Sequence, residues 1–419
     1  MGVLSVDELK PGMILEKDVY APSGRFLLGS STKITSKHIQ VLKSWGVVEA
    51  DIMDDKDEKK PPQDESISRE TLEEARSRLL PYFAATDLSK PAMRNIFNLA
   101  VYNAAQNSVA YFPELPDVQS LQGSSLRDSL KFRQYALTPR DIITQQIKLS
   151  SFPDIYHQIN SVLQSPRSSA THIAEVVSKD ASLSSKLLRL VNSPFYGFPR
   201  KIDTITRAVA ILGTNELCTL ALGISVVSYF SDIPEKLVNM KSFWKHGISC
   251  GVIARLIADQ QQGLSEETYF VAGLTHDIGR LVLFNHAPQA TRTVLDYARQ
   301  VRMPLFQAEK EILGFDHAHL GGELLKEWYF PVSLELPVRY HHQPEKILNS
   351  LEPAAIHIAD ILTQALRYGS SGNIIVPDLS PGAWKDLKMK ATALGGIKSL
   401  AQRQIYEIER IFLGDPGAE

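Results

Sequence analysis

From about Ile142 to Tyr368, apolar residues recur every three or four positions, with almost no stretch alternating at the two-residue period of a strand. Ile155, Ile159, Val162 and Leu163 share one helical face, as do Ile173, Val176 and Val177, and then Leu183, Leu187, Leu190 and Val191. Ser168 or Ser169 can cap the second of these helices, and Asn192-Ser193-Pro194 breaks the chain after the third. Another helix runs from about Thr204 past Val209 and Leu212 to a stop at Gly213. Helices with one apolar stripe each must bury it against one another. The expected fold class is therefore mainly all-α, a helical bundle over residues 142–368.

The flanks differ. Residues 1–52 carry short apolar runs (Met13-Ile14-Leu15, then Asp18-Val19-Tyr20) between turns at Pro11-Gly12 and Ser23-Gly24. Thr35 or Ser36 then caps a helix with Ile39, Leu42 and Trp45 on one face, Gly46 stops it, and Val47 to Ile52 closes as a strand. This reads as a small α/β N-terminal domain. The stretch from Glu49 to Glu70 holds nine acidic residues against four basic ones, plus Pro61-Pro62, and residues 53–70 are read as an acidic linker. Residues 71–141 form a helical connector with two apolar stripes, one through Leu72, Ala75 and Leu79, the other through Met93, Ile96, Phe97 and Ala100. Two stripes without an evident partner point to a homodimer. A loop near residues 120–140 precedes the bundle. Residues 369–419 are a loop and a last helix with Ile405, Ile408, Ile411 and Phe412 on one side.

A net charge of -2 and a pI near 6.6 offer phosphate backbones and anionic lipid no overall attraction, so neither nucleic acid nor membrane is an expected partner. The most apolar run, Leu217 to Phe230, is too short for a hydrocarbon core of ~30 Å. Cys218 and Cys250 form no paired motif and suit a reduced compartment, so a cytoplasmic location is expected.

Seven of the eleven histidines lie between His246 and His342. His246, His276-Asp277, His317, the pair His341-His342 and Asp360 supply imidazoles and carboxylates, the ligands of Fe, Mn, Zn or Ni in a mixed nitrogen/oxygen site of one or two ions. Asp277 can bridge two ions. His319 sits roughly 200° around the helix from His317 and cannot share its metal. His38, His157 and His172 fall on polar faces, His286 follows a helix end, and His357 is placed to orient Asp360. The competing reading is a bundle whose buried histidines and carboxylates satisfy one another.

His246, then His276-Asp277-Ile278-Gly279, then Asp360, resembles the ligand set of the HD superfamily of metal-dependent phosphohydrolases. The surrounding sequence is more similar still to the related HDOD family of bacterial signalling proteins. SFPDIYHQINSVL resembles its opening helix, and SKDASLSSKLLRLVNSPFYGFPRKIDTITRAVAILG its most characteristic stretch. GFDHAHLGGELLKEWYFP and RYHHQPE resemble its closing half, while LKPGMIL, DVY and HIQVLKSWGV resemble the small domain that precedes HD-GYP domains. Two positions depart from the HD-GYP pattern: Arg280 stands where a lysine is usual, and Gln343-Pro344-Glu345 replaces GYP.

The resemblance implies an HD-like helical signalling module that acts by binding a signalling protein or a nucleotide. The alternative is a metal-dependent phosphohydrolase acting on a nucleotide or cyclic nucleotide. In that reading His246, His276, Asp277, His317, His341, His342 and Asp360 hold metal, while Asp277 and Arg280 serve catalysis, with Arg280 clamping phosphate. Phe195 and Tyr196, beside Arg200 in a turn-rich aromatic stretch, are candidates for a partner-binding surface. A tight turn with both rings plugging the core is the other reading.

Overall fold

A computed structural model describes residues 2–20, 26–30, 32–45, 47–53, 67–107, 138–146, 154–164, 169–198, 200–230, 237–261, 265–347, 351–391 and 393–414. The Ser23-Gly24 turn, the Gly46 stop, most of the acidic linker and most of the loop near residues 120–140 lie outside them.

The first 52 residues contain β1 (Gly2–Ser5), β2 (Val19–Tyr20), β3 (Phe26–Leu28), α1 (Ser36–Ser44) and β4 (Glu49–Ile52). β1 runs antiparallel to β4 with Gly2 opposite Ile52, and β2 runs antiparallel to β3. The sequence pattern misses β1 and expects a strand at Met13-Ile14-Leu15. That run instead makes single bridges, Ile14 to Lys33 and Leu15 to Ile52. Thr35 is the cap: its hydroxyl accepts from the His38 amide at 3.1 Å and His38 Nδ1 accepts from the Thr35 amide at 3.3 Å. Val6, Leu9, Leu15, Val19, Leu28, Ile34, Leu42, Ala50 and Ile52 form a core of their own.

The connector is not separate from the bundle. α2 (Arg69–Leu79) starts on a Ser68 cap, inside the expected linker, and packs against α3 (Pro91–Gln106). Ala75, Leu79, Met93, Ile96, Phe97 and Ala100 are all buried in the main core. The two stripes therefore have an internal partner, and the basis for expecting a homodimer is gone. The apolar demand of these helices is met within one chain.

Thirteen helices follow as α4 (Pro139–Gln146), α5 (Asp154–Gln164), α6 (Ala170–Ser178), α7 (Ala181–Val191), α8 (Ile205–Leu212), α9 (Thr214–Tyr229) and α10 (Met240–Asp259), then α11 (Glu266–Thr275), α12 (Ile278–His286), α13 (Pro288–Val301), α14 (Leu305–Leu313), α15 (His317–Glu327) and α16 (Val332–Tyr340). α17 (Glu352–Ala365), α18 (Pro381–Asp386) and α19 (Ala393–Leu413) complete the chain. Ser169 caps α6 as the sequence places it, and Thr204 on α8 and Asp180 on α7 likewise each accept a backbone amide of the first turn. The long α10 is at the centre, with α11, α17 and α19 packed around it. Ile405, Ile408, Ile411 and Phe412 of α19 are buried, so the last helix closes the same core. Each such side chain contributes about 1.5–3 kcal/mol by leaving water. No helix among the described residues is long and apolar enough to cross a membrane.

Candidate metal centre

The site is built where six helices meet. α10 carries His246 inside its span, while His276 and Asp277 form the break between α11 and α12. His317 opens α15, His341 and His342 follow α16, and Asp360 lies within α17. Small residues bring these backbones together. A Cβ on Gly273 of α11 would stand 2.6 Å from the Gly251 Cα of α10, closer than real contacts allow, so only glycine lets the two helices touch. Gly279, directly after the His-Asp-Ile run, meets the His317 carbonyl in the same way and draws α12 onto α15.

All seven sequence-predicted ligands converge. His246 Nε2 and His276 Nε2 are 3.3 Å apart, and His342 Nε2 and His317 Nε2 are 3.1 Å apart. Asp360 Oδ1 is 3.1 Å from His246 Nε2 and 3.5 Å from His276 Nε2. Asp277 faces both groups: Oδ2 lies 3.4 Å from His246 Nε2 and 3.2 Å from His276 Nε2, while Oδ1 lies 2.9 Å from His317 Nε2. Two ligand atoms ~2.1 Å from a common ion at ordinary coordination angles stand roughly 3.0–3.4 Å apart, the spacing of both histidine pairs.

The outer nitrogens fix how the rings can be used. His276 Nδ1 lies 2.7 Å from the Gly273 carbonyl, and His341 Nδ1 lies 2.8 Å from the Val338 carbonyl. A carbonyl only accepts, so each Nδ1 carries a proton and Nε2 is the ring atom turned inward. His317 Nδ1 donates to Glu309 at 2.5 Å, a carboxylate–histidine pair of the kind that orients metal ligands. His341 Nε2 is buried without a hydrogen-bond partner among the described residues. Mutual satisfaction of the cluster leaves that lone pair stranded; a divalent ion does not, so the residues present fit the group.

Electrostatics agree with a site prepared for positive charge. Burial works against ionising Asp277, yet Arg280, His276 and His317 hold its carboxyl well below the usual range. Asp360 is held low in the same sense, against burial, by hydrogen bonds from His246 and His276. Burial opposes a proton on His276, but the Asp277 charge outweighs it and the imidazole pKa stands well above its ordinary value. His341 is pushed by burial, and then by its cationic neighbours His276 and His317, down to about 3.

Arg280 sits beside the cluster and is fully buried. Its Nη1 donates to Asp277 Oδ2 at 3.1 Å and to the Ser371 hydroxyl, and its Nε lies 3.6 Å from Glu309. Nη2 has no hydrogen-bond partner among the described residues.

Residues 149–344 match the HDOD domain family. The chain carries an HDOD domain. A Treponema pallidum protein without an assigned role is 22% identical over 196 residues, 46% of this chain and 37% of that one, so this chain matches little more than a third of that relative's length. Two crystal structures share the fold: an HDOD domain protein of unknown function from Geobacter sulfurreducens (23% identity, TM-score 0.56, 69% of this chain and 99% of that one) and a Shewanella amazonensis protein whose name proposes a phosphohydrolase (22%, TM-score 0.52, 66% and 99%).

Within the HDOD domain the structure distinguishes the two readings of the aromatic turn. Phe195 points inward, 5.0 Å from the Phe270 ring of α11 and beneath the Arg255 guanidinium, which donates to its carbonyl at 2.8 Å. Tyr196 is half-buried with its hydroxyl inside, and of the three only Arg200 is exposed. The aromatic turn plugs the core. His357 is also reassigned, because its Nδ1 donates to the His341 carbonyl and its Nε2 accepts from the Ser380 amide. Gln364 is the side chain that holds Asp360, donating at 2.7 Å.

Sequence reasoning missed Glu309. Its signal was present: Leu305, Ala308, Glu309 and Ile312 share one face at helical spacing, so a carboxylate stands on a buried stripe. His38, His157, His172 and His319 stay away from the centre. His319 and His157 are exposed, and His38 serves its own helix cap and lies 3.6 Å from Asp259.

Proposed function

We propose that this protein is a signal-transduction protein whose HDOD domain works as a regulatory, partner-binding module organised around a divalent metal centre. The observation that carries the reading is the inward set of Nε2 atoms on His276, His317 and His341, each ring fixed by a hydrogen bond at Nδ1. His246, His276, Asp277 and Asp360 would hold one ion, and His317, His341, His342 and Asp277 a second. Mixed imidazole and carboxylate ligands suit iron or manganese, with zinc and nickel as competitors. A bound ion there supplies Lewis acidity and ties six helices together. His246, His276, Asp277, His317, His341 and Asp360 are each no more than 3% exposed, which favours a structural and regulatory centre over an open reaction site. The partner is a signalling protein or a nucleotide.

Arg280 supports a second reading, metal-dependent hydrolysis of a phosphate ester. Its free Nη2 beside Asp277 provides a donor for a phosphoryl oxygen, and the fold-related Shewanella protein bears a phosphohydrolase name. The chain's own groups would clamp the phosphate and hold Asp277 ionised.

Elemental mass spectrometry of the purified protein and of a His276→Ala/Asp277→Ala variant, with a nucleotide hydrolysis assay on both, tests these readings. Near-stoichiometric metal lost in the variant, without turnover in either protein, supports the regulatory centre. Turnover abolished in the variant moves the conclusion to the phosphohydrolase. No metal, even after anaerobic loading with iron and manganese, removes the metal centre altogether.

A further inference from the structure

The starts of three helices open on a groove of about 480 Å³. α9 presents Glu216 and Thr219, α11 presents Thr268, α16 presents Ser333, and α5 adds Asn160. Tyr329 forms the rim. Asn160 is only 8% exposed, and its side-chain oxygen has no hydrogen-bond partner among the described residues. A buried amide oxygen left in that state is costly unless something donates to it.

Tyr329 is the second unusual residue. It occupies the left-handed position that ends α15, at φ 57°, where its amide donates to the Lys326 carbonyl and the Phe330 amide donates to Leu325. That hydrogen-bond pattern ordinarily selects glycine, because a Cβ there is strained. The strained backbone carries an aromatic ring that is 62% exposed. Nothing in the packing of α15 requires the ring.

We infer that this groove binds a small uncharged ligand with hydroxyl or amino donors beside a flat face, of the nucleoside or sugar class. The Asn160 oxygen and the Glu216 carboxylate accept its donors, the hydroxyls of Thr219, Thr268 and Ser333 both give and accept, and the Tyr329 ring covers its flat face. Among the described residues Glu216 is the one charged side chain lining the groove, and Glu267 follows in the first turn of α11, so an added phosphate meets like charge. The groove shares no lining residue with the metal centre.

Calorimetric titration of the full chain with adenosine, with methyl glucoside and with adenosine monophosphate tests the inference. Saturable binding of adenosine identifies a nucleoside site, and of the glucoside a sugar site. The binding probe should weaken at least tenfold in Tyr329→Gly, which removes the ring and relieves the strained backbone, and in Asn160→Leu. It should persist in His276→Ala. Absence of binding by adenosine and glucoside up to about 5 mM overturns the inference. So does tighter binding of the monophosphate, unchanged affinity in Tyr329→Gly, or loss in His276→Ala, which would put the ligand at the metal centre.

Discussion

One Glu309 oxygen accepts twice from His317, from the ring Nδ1 at 2.5 Å and from the backbone amide at 2.8 Å. The carboxylate thus fixes both the ring and the helix start that delivers it. Glu309→Gln keeps the shape but lets the amide present a donor where only an acceptor suits. Metal affinity should fall about 10–100-fold, by analogy with outer partners of other metal-bound histidines. Competitive chelator titration measures it, and an unchanged affinity would remove Glu309 from the site.

Arg280 bridges Asp277, Glu309 and Ser371 in a fully buried setting. Arg280→Ala strands two carboxylates and should cost about 3–5 kcal/mol of stability in urea unfolding. Arg280→Lys should retain part of that stability, because charge survives while the fork geometry does not. Stability equal to wild type in the alanine variant would show that the ion network is not structural.

Acid and alkali should destabilise the metal-free protein by different groups. His341 and His342 have depressed pKa values, from burial and then from cationic neighbours. Only the unfolded chain then takes up their protons, so their contribution is complete above about pH 6.5 and is lost as pH falls from there. Each such group imposes a slope of up to about 1.4 kcal/mol per pH unit. His276 and His317 have raised values, so theirs is complete below about 6.5 and is lost as pH rises through the folded pKa. Asp277 and Asp360, held low, add a further loss only as pH falls below about 3.9. Tm measured with chelator should therefore peak near neutrality and decline on both sides. Adding metal should remove the alkaline arm, since an ion replaces those protons.

The N-terminal unit should respond by itself. Leu15 is fully buried in the core formed by residues 6–52, which shares no member with the main core. Leu15→Ala should cost about 2–5 kcal/mol within that unit. Hydrogen exchange should speed up in β1, β4 and α1 while protection in α10 and α11 stays the same. Equal loss in both regions would show one cooperative unit.

The bundle was legible because helical periodicity survives wherever one face is buried and the other is wet, as in α6 and α7. The metal cluster was legible because histidine and aspartate interrupt otherwise apolar helices in a recognisable order. What escaped depended on tertiary partners. Glu309 looked like one more charge in Ala308-Glu309-Lys310-Glu311, and Phe195 stayed undecided between a partner surface and a core plug until Arg255 and Phe270 closed over it. β1 escaped because its pairing partner, β4, lies over forty residues away. The connector stripes were correctly read as apolar, but the chain alone did not say that they pack on the bundle.

The backbone contact between Gly251 and Gly273 bears on tolerance to change. Where helices meet through side chains, a substitution alters their spacing and neighbouring rotamers absorb the error. Here main chain rests on main chain, and His246 lies five residues before Gly251 while His276 lies three after Gly273. The separation of those imidazoles is thus set by peptide geometry, which varies little, instead of by the size of the surrounding leucines and valines. Such a centre can keep its dimensions while the core around it drifts in composition.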